Sequence, residues 1–332
     1  MKKLLSVLLV ALMALTLVGC SSSSTTTTDE TATDEGTTKY QVGVVQLVQH
    51  EALDAATQGF SDALVDEFGE DGVDVVVKNA SGESSNCITI ANDFVSDGVD
   101  LIMANATAAL QAASAATDTI PVVGTSITDY ATALDIDNWT GTVGTNVTGA
   151  TDLAPLADQA AMVKEVFPDA KTVGILYCNA EANSVYQANV MTEELTKLGF
   201  TVTSYTFTDS NDVTSVTQTA AENSDVIYIP TDNTAANNTE AIANVVLSSD
   251  YATPVVAGEE GICKGCGVVT LSISYYDMGY KAGQLAASIL KGETTAQASP
   301  IVSVDTVTYE YNATNAELLG VTVPSNYVAI AE

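Results

Sequence analysis

The stretch Val42-Gly43-Val44-Val45-Gln46-Leu47-Val48 is a β-branched run that ends at Gln49 and His50, after which Leu53, Ala56, Phe60, Leu64 and Phe68 recur three or four residues apart. A strand therefore runs into an amphipathic helix. The same change of period recurs downstream, with strands expected over 42–48, 73–78, 99–104 and 121–125 and helices near 52–68, 85–96 and 107–117. A second series follows: strands over 172–177, 201–207, 226–230 and 254–257, helices near 184–198, 213–222 and 234–247. Regular alternation of this kind marks a parallel sheet covered by helices.

The two series also match in register. Val42-Gly43-Val44-Val45 aligns with Val173-Gly174-Ile175-Leu176 at an offset of 131, and Asp100-Leu101-Ile102 aligns with Asp225-Val226-Ile227 at 125. Ile120-Pro121-Val122-Val123-Gly124 aligns with Thr253-Pro254-Val255-Val256-Ala257 at 133. The fold class is therefore α/β: two doubly wound parallel-sheet lobes joined by a hinge. In such sheets ligands bind beyond the carboxyl ends of the strands. The candidate residues follow the strands, in the stretches 46–50, 105–107, 125–129, 178–184, 231–233 and 258–261, which hold Gln46, Leu47, His50, Thr107, Thr125, Asn183, Ser184, Asp232, Asn233 and Glu259. Hydroxyls at helix starts suit a carboxylate, because unpaired N–H groups and the positive dipole end gather there. Asp54, Asp129, Asp232, Glu259 and Glu260 stand where an ammonium would be balanced. Together these groups suit an amino acid. Tyr130, Tyr228, Tyr275 and Tyr276 are candidates to face an aromatic ligand.

Composition narrows the function. Of 332 residues, 42 are Asp or Glu and 10 are basic, all of them lysine, for a net charge of −32. Nucleic acid is excluded as a partner by that balance, and no guanidinium exists to clamp an anion bidentately. His50 is the only histidine, so each hydrolytic triad would hang on it. A nucleophile elbow, a Walker loop and a dinucleotide glycine loop are absent from the sequence. The expectation is a binding protein that does no chemistry and needs no cofactor or metal.

Lys2 and Lys3 precede an apolar run over 4–18, and Leu17-Val18-Gly19-Cys20 ends it. This is similar to a bacterial lipobox, which implies a signal peptide over 1–20, cleavage before Cys20 and a lipid anchor on that cysteine. Residues 21–38 are Ser, Thr, Asp, Glu and Gly with almost nothing apolar, the composition of a disordered tether.

Several segments in order carry a resemblance: 44–54 with Gln46-Leu47-Val48-Gln49-His50, Ile120-Pro121-Val122-Val123-Gly124, Asn146-Val147-Thr148-Gly149, Glu181-Ala182-Asn183-Ser184, Pro230-Thr231-Asp232-Asn233, Gly258-Glu259-Glu260-Gly261 and Ser274-Tyr275-Tyr276. Together they resemble the ABC-transporter substrate-binding lipoproteins of the tryptophan- and tyrosine-uptake type, over about 41–292. The resemblance implies the type I periplasmic-binding-protein fold, with lobe 1 over 39–147 plus about 259–298 and lobe 2 over 148–258 plus about 299–332. It implies a hinge near 126–146, 258–274 and the strand after Ser299, capture of an amino acid of the aromatic class (Trp, Tyr or Phe) between the lobes, and delivery to an ABC permease at the outer face of the cytoplasmic membrane. The carried-over ligand residues are Gln46, Leu47, His50, Thr148, Gly149, Asn183, Ser184, Asp232, Asn233 and Glu259, with Asp232 expected to pair with the ligand ammonium. The chain departs from the family pattern at Ala150, where a hydroxyl is usual, and over 129–134.

Cys263-Lys264-Gly265-Cys266 has the spacing of a thiol–disulfide centre, and Cys263 and Cys266 are candidates for a local disulfide. The alternatives to an amino-acid binder are a binder of a sugar, nucleoside or signalling molecule, and an extracytoplasmic thiol oxidoreductase using Cys263 and Cys266.

Overall fold

A computed structural model describes residues 39–304 and 306–331; the signal peptide, Cys20 and the tether lie outside the described residues. In chain order the strands are β1 (Tyr40–Gln46), β2 (Val73–Asn79), β3 (Leu101–Asn105), β4 (Val122–Ile127), β5 (Val147–Thr151), β6 (Thr172–Cys178), β7 (Thr201–Phe207), β8 (Val226–Ile229), β9 (Val255–Ala257), β10 (Val269–Ile273), β11 (Val302–Ser303), β12 (Val307–Tyr311) and β13 (Val328–Ala329). They form two sheets, ordered β11-β5-β4-β3-β1-β2 and β13-β12-β10-β9-β8-β6-β7. All pairings in the first sheet are parallel, and in the second only β10 with β12 is antiparallel. The runs β2-β1-β3-β4-β5 and β7-β6-β8-β9-β10 share one order, so the repeated register in the sequence is a repeated topology. Even the anchor recurs: the Asp100 carboxylate accepts the Gln41 N–H where β1 begins, and the Asp225 carboxylate accepts those of Lys171 and Thr172 where β6 begins.

Each central strand is apolar on both sides because helices cover both faces. Side chains alternate across the sheet: Val42 and Val44 join Leu101, Met103 and Val123 on one face, while Val45 joins Ile102, Ala104 and Val122 on the other. The first face is covered by the helices Glu51–Phe68 and Tyr275–Leu290, which approach without side chains between them. A Cβ on Gly279 would lie 2.0 Å from the Ala56 carbonyl oxygen, and one on Gly59 would lie 2.1 Å from that of Tyr276. Glycine at these positions lets two backbones touch. The second lobe repeats the plan with Val173, Ile175 and Tyr228 on one face and Leu176, Ile227 and Ile229 on the other.

Sheet membership moves the crossings from the expected boundaries. β5 pairs with β4 in the first sheet, so the chain leaves that lobe after Thr151 rather than at 147. The segment 259–273 belongs to the second lobe, because β10 pairs with β9 and β12 and the helix Glu260–Cys266 packs into the second lobe's apolar cluster. Crossing back occurs at Ser274, and β11 returns to β5 before the last crossing into β12. The reason is register: Val269–Ile273 is buried throughout, and a segment of that kind completes a sheet rather than a hinge.

Candidate functional site

The order of each sheet reverses at β1 and at β6, and the loops beyond these strands face one another across a cleft. Its centre is lined by His50, Ala52, Leu53, Ser126, Asp152, Asn183, Thr231, Asp232, Asn233, Ala236, Glu259 and Tyr275. The space enclosed there is about 20 Å³, room for about one water-sized sphere. Two cavities of about 210 and 410 Å³ flank it and share Glu259 with it. A larger open groove of about 830 Å³ lies away from the cleft, at the amino ends of β4 and β5, lined by residues such as Leu134, Val143 and Ile289.

Of the residues expected at the site, His50, Asn183, Asp232, Asn233 and Glu259 line the centre. Seven others do not. Gln46 is committed beneath the first helix, its amide donating to Asp54 and Val48 and accepting from Thr57. Leu47 is core, and Thr107 is buried where its helix begins. Thr125 is buried at the end of β4 beside the lining residue Ser126. The Thr148 hydroxyl donates to the Ser299 carbonyl, bracing β5 against the segment that leads into β11. Gly149, at φ 148°, lets β5 pass where a Cβ would lie 2.1 Å from the Gly124 carbonyl oxygen. Ser184 is buried beside Asp232. At Ala150 a side-chain hydroxyl is not needed for packing, since its carbonyl accepts from Tyr130 Oη at 3.1 Å. Among the tyrosines, only Tyr275 lines the centre; Tyr130 and Tyr228 are core, and Tyr276 bonds Asp62 on the outside.

The acids at the site differ in what occupies their oxygens. Asp232 accepts the Ala235 N–H at 2.7 Å and the Cys178 N–H at 2.6 Å, one per oxygen, so it is a helix cap and a brace to β6. Glu259 likewise accepts Gly261 and Ile262 N–H groups at the start of its helix. Asp152, on the first crossing, accepts Tyr275 Oη at 3.0 Å on one oxygen; the other is buried beside Thr128 with no hydrogen bond of good geometry. The Ser126 hydroxyl is also buried without a partner, on a residue at φ 56°. Among the described residues no lysine lines the centre. Ser126 lies in the stretch 125–129 that the sequence offered after β4, whereas Asp152 lies outside the stretches so offered and acquires its setting only where two crossings meet.

Burial pushes Asp152 up to about 6, Glu259 up to about 7 and Asp232 up to about 8, the last also raised by Glu181. Burial lowers His50, against the raising effect of Asn233, Glu181 and Asp54. A carboxylate held higher in the folded state contributes stability that is full below its unfolded value near 4 and lost as pH rises through its folded value. His50 opposes this only as pH falls below about 6.5. The melting temperature of the ligand-free protein is therefore expected to rise on going from about pH 8.5 to about pH 6. Calorimetry at constant ionic strength checks this, and a midpoint that falls over that interval contradicts it.

The cysteines do not form the candidate disulfide. Cys263 and Cys266 are separate free thiols inside the apolar cluster of the second lobe, and Cys266 Sγ donates to the Ile262 carbonyl. They sit in a seven-residue helix with Cys266 at its carboxyl end, and burial holds both thiols far above their usual range. A reactive thiolate needs the opposite: a helix amino end, a cation and access.

Comparison with known proteins places this geometry. Residues 41–332 match the family model described as ABC transporter substrate binding protein. A tyrosine-binding protein of Clostridioides difficile is 31% identical over 309 residues, covering 92% of this chain and 88% of the relative. Among solved structures, a Streptococcus pneumonia ABC domain in complex with L-Trp superposes with a TM-score of 0.81 at 28% identity, over 87% of this chain and 100% of that one. The ligand-free, open structure of a Clostridium difficile substrate binding protein with adhesive properties gives 0.67 at 32% identity, over 88% and 99%. The fit to the L-Trp complex is better than the fit to the open structure despite the lower identity, and the cleft here is nearly filled at its centre. The chain belongs to the ABC transporter substrate binding protein family.

Proposed function

We propose that this chain captures an aromatic amino acid between its lobes, outside the cytoplasm, and presents the closed complex to an ABC permease, with Cys20 as its lipid anchor. The observation that carries the ligand class is Asp152: a buried carboxylate with one unpartnered oxygen, at a cleft centre that no lysine lines among the described residues. An ammonium supplies the missing countercharge, since a buried charge left unpaired is far more costly than one with a partner. Ser126 then donates to the ligand carboxylate. Ala52, Leu53 and Ala236, with the Tyr275 ring, offer an apolar wall to the side chain. Asp232, with both oxygens engaged, is assigned to the scaffold of lobe 2 in this reading, and Asp152 takes the ammonium role in its place. The relatives that bind tyrosine or tryptophan support the aromatic choice.

The centre has room for about one water-sized sphere, so ligand enters only when the lobes part along the three crossings. Ligand then stabilises the closed form by binding it better than the open one. A thermal-shift screen of residues 39–332 against L-tyrosine, L-tryptophan, L-phenylalanine, sugars and nucleosides tests the proposal. An aromatic amino acid at about 100 times its dissociation constant is expected to stabilise the fold by roughly 2.7 kcal/mol. A shift produced only by a sugar or a nucleoside refutes the ligand class.

A further inference from the structure

Glu181 follows β6 and precedes the helix Ala182–Lys197, yet its carboxylate is turned onto the neighbouring loop. One oxygen accepts from Thr234 N at 2.9 Å and Thr234 Oγ1 at 2.7 Å. The other accepts from Asn233 N at 3.0 Å, Asn233 Nδ2 at 2.7 Å and Asn183 Nδ2 at 3.3 Å. A carboxylate only accepts, so it dictates which way each amide is turned. With Asn233 Nδ2 drawn to Glu181, Asn233 Oδ1 faces the other lobe, where it meets His50 Nε2 at 3.3 Å. An oxygen there requires a donor, hence a proton on Nε2.

We infer that Glu181 is the positioning residue of the contact between the lobes: by holding Asn233 with its oxygen toward His50, it selects the Nε2-protonated imidazole on which the lobes close. The inference rests on the proposed ligand-driven closure but acts through residues that reading leaves aside. Exchange of Glu181 for glutamine removes the dictate, because a glutamine amide offers both a donor and an acceptor. Asn233 is then free to turn its NH₂ toward His50, which favours the other tautomer.

His50 is the only histidine, so its ring nitrogens give a single set of ¹⁵N signals. The expected result in wild type closed on L-tyrosine is the Nε2–H tautomer alone, and in both Glu181→Gln and Asn233→Ala a mixture of tautomers. Affinity for L-tyrosine, measured by calorimetry, is expected to fall about tenfold in each single variant and no further in the double variant, since both break one network. Asn233→Ala leaves the Glu181 carboxylate in place, so it serves should Glu181→Gln fold poorly. An unchanged tautomer in both variants, or losses that add in the double, overturns the inference. Should wild type bind no amino acid at all, the functional reading falls, and the same comparison of imidazole signals between the unliganded wild type and the two variants decides the role of Glu181.

Discussion

Asp152→Asn is expected to raise the dissociation constant for the bound amino acid about 100-fold or more while leaving the ligand-free protein as stable as wild type, or more so, at neutral pH. Removing one partner of a buried charged pair costs about 2–5 kcal/mol, and 2.7 kcal/mol corresponds to two decades in affinity. The asparagine oxygen still accepts from Tyr275, which leaves its NH₂ turned to the place of the ligand ammonium. Without ligand the change removes a buried carboxylate that has an unpartnered oxygen, so nothing is lost there. The two readouts move in opposite directions, which a general disturbance of the hinge does not produce. Asp232→Asn is the contrasting variant: an asparagine oxygen replaces only one of the two acceptors used by Ala235 and Cys178. It is expected to lose about 1–2 kcal/mol of stability, the worth of a helix cap. Calorimetric titration with denaturant unfolding separates the two, and a loss of affinity confined to Asp232→Asn reverses the assignment.

Gly279→Leu is expected to cost at least about 3 kcal/mol, the upper part of the range for overpacked cores. The added Cβ alone lies 2.0 Å from a backbone carbonyl oxygen, and a backbone cannot step aside as a flexible side chain does. The helices Glu51–Phe68 and Tyr275–Leu290 must separate, and the sheet face formed by Val42, Val44 and Met103 loses its cover. Gln284→Ala on the exposed side of the same helix controls for altered helix propensity and is expected to change little. Urea unfolding of both variants tests the claim; equal midpoints contradict it.

Most of the fold was legible because parallel strands buried on both faces are continuous apolar runs. Thr201–Phe207 was read to the residue, and the other seven strands to within a few. The crossings were harder. β5 carries Thr148, Gly149 and Thr151, the composition of a loop, and becomes a strand because β4 and β11 flank it. β10 follows a Gly-rich segment and was read as hinge. At the site, residues just past β1, β6, β8 and β9 line the cleft because the topology points them there. Thr107, Thr148 and Gly149 carry the same chemistry one layer too deep, where helix starts and strand braces use it up. Asp152 escaped because its meaning lies in Tyr275, 123 residues away.

That separation has a kinetic consequence. The helix Tyr275–Leu290 and β11 complete the first lobe, and Tyr276 reaches its partner Asp62 across 214 residues of chain. At about 5–20 residues per second, the ribosome needs roughly 10–40 s to deliver them. Through that time the apolar face of the nascent first sheet has no complete cover, and its most distant contacts are the slowest to find. The amino-terminal lobe can therefore close its sheet only after β6 to β10 of the second lobe have been made, and the second lobe waits longer still, for β12 and β13 at the carboxyl end of the chain.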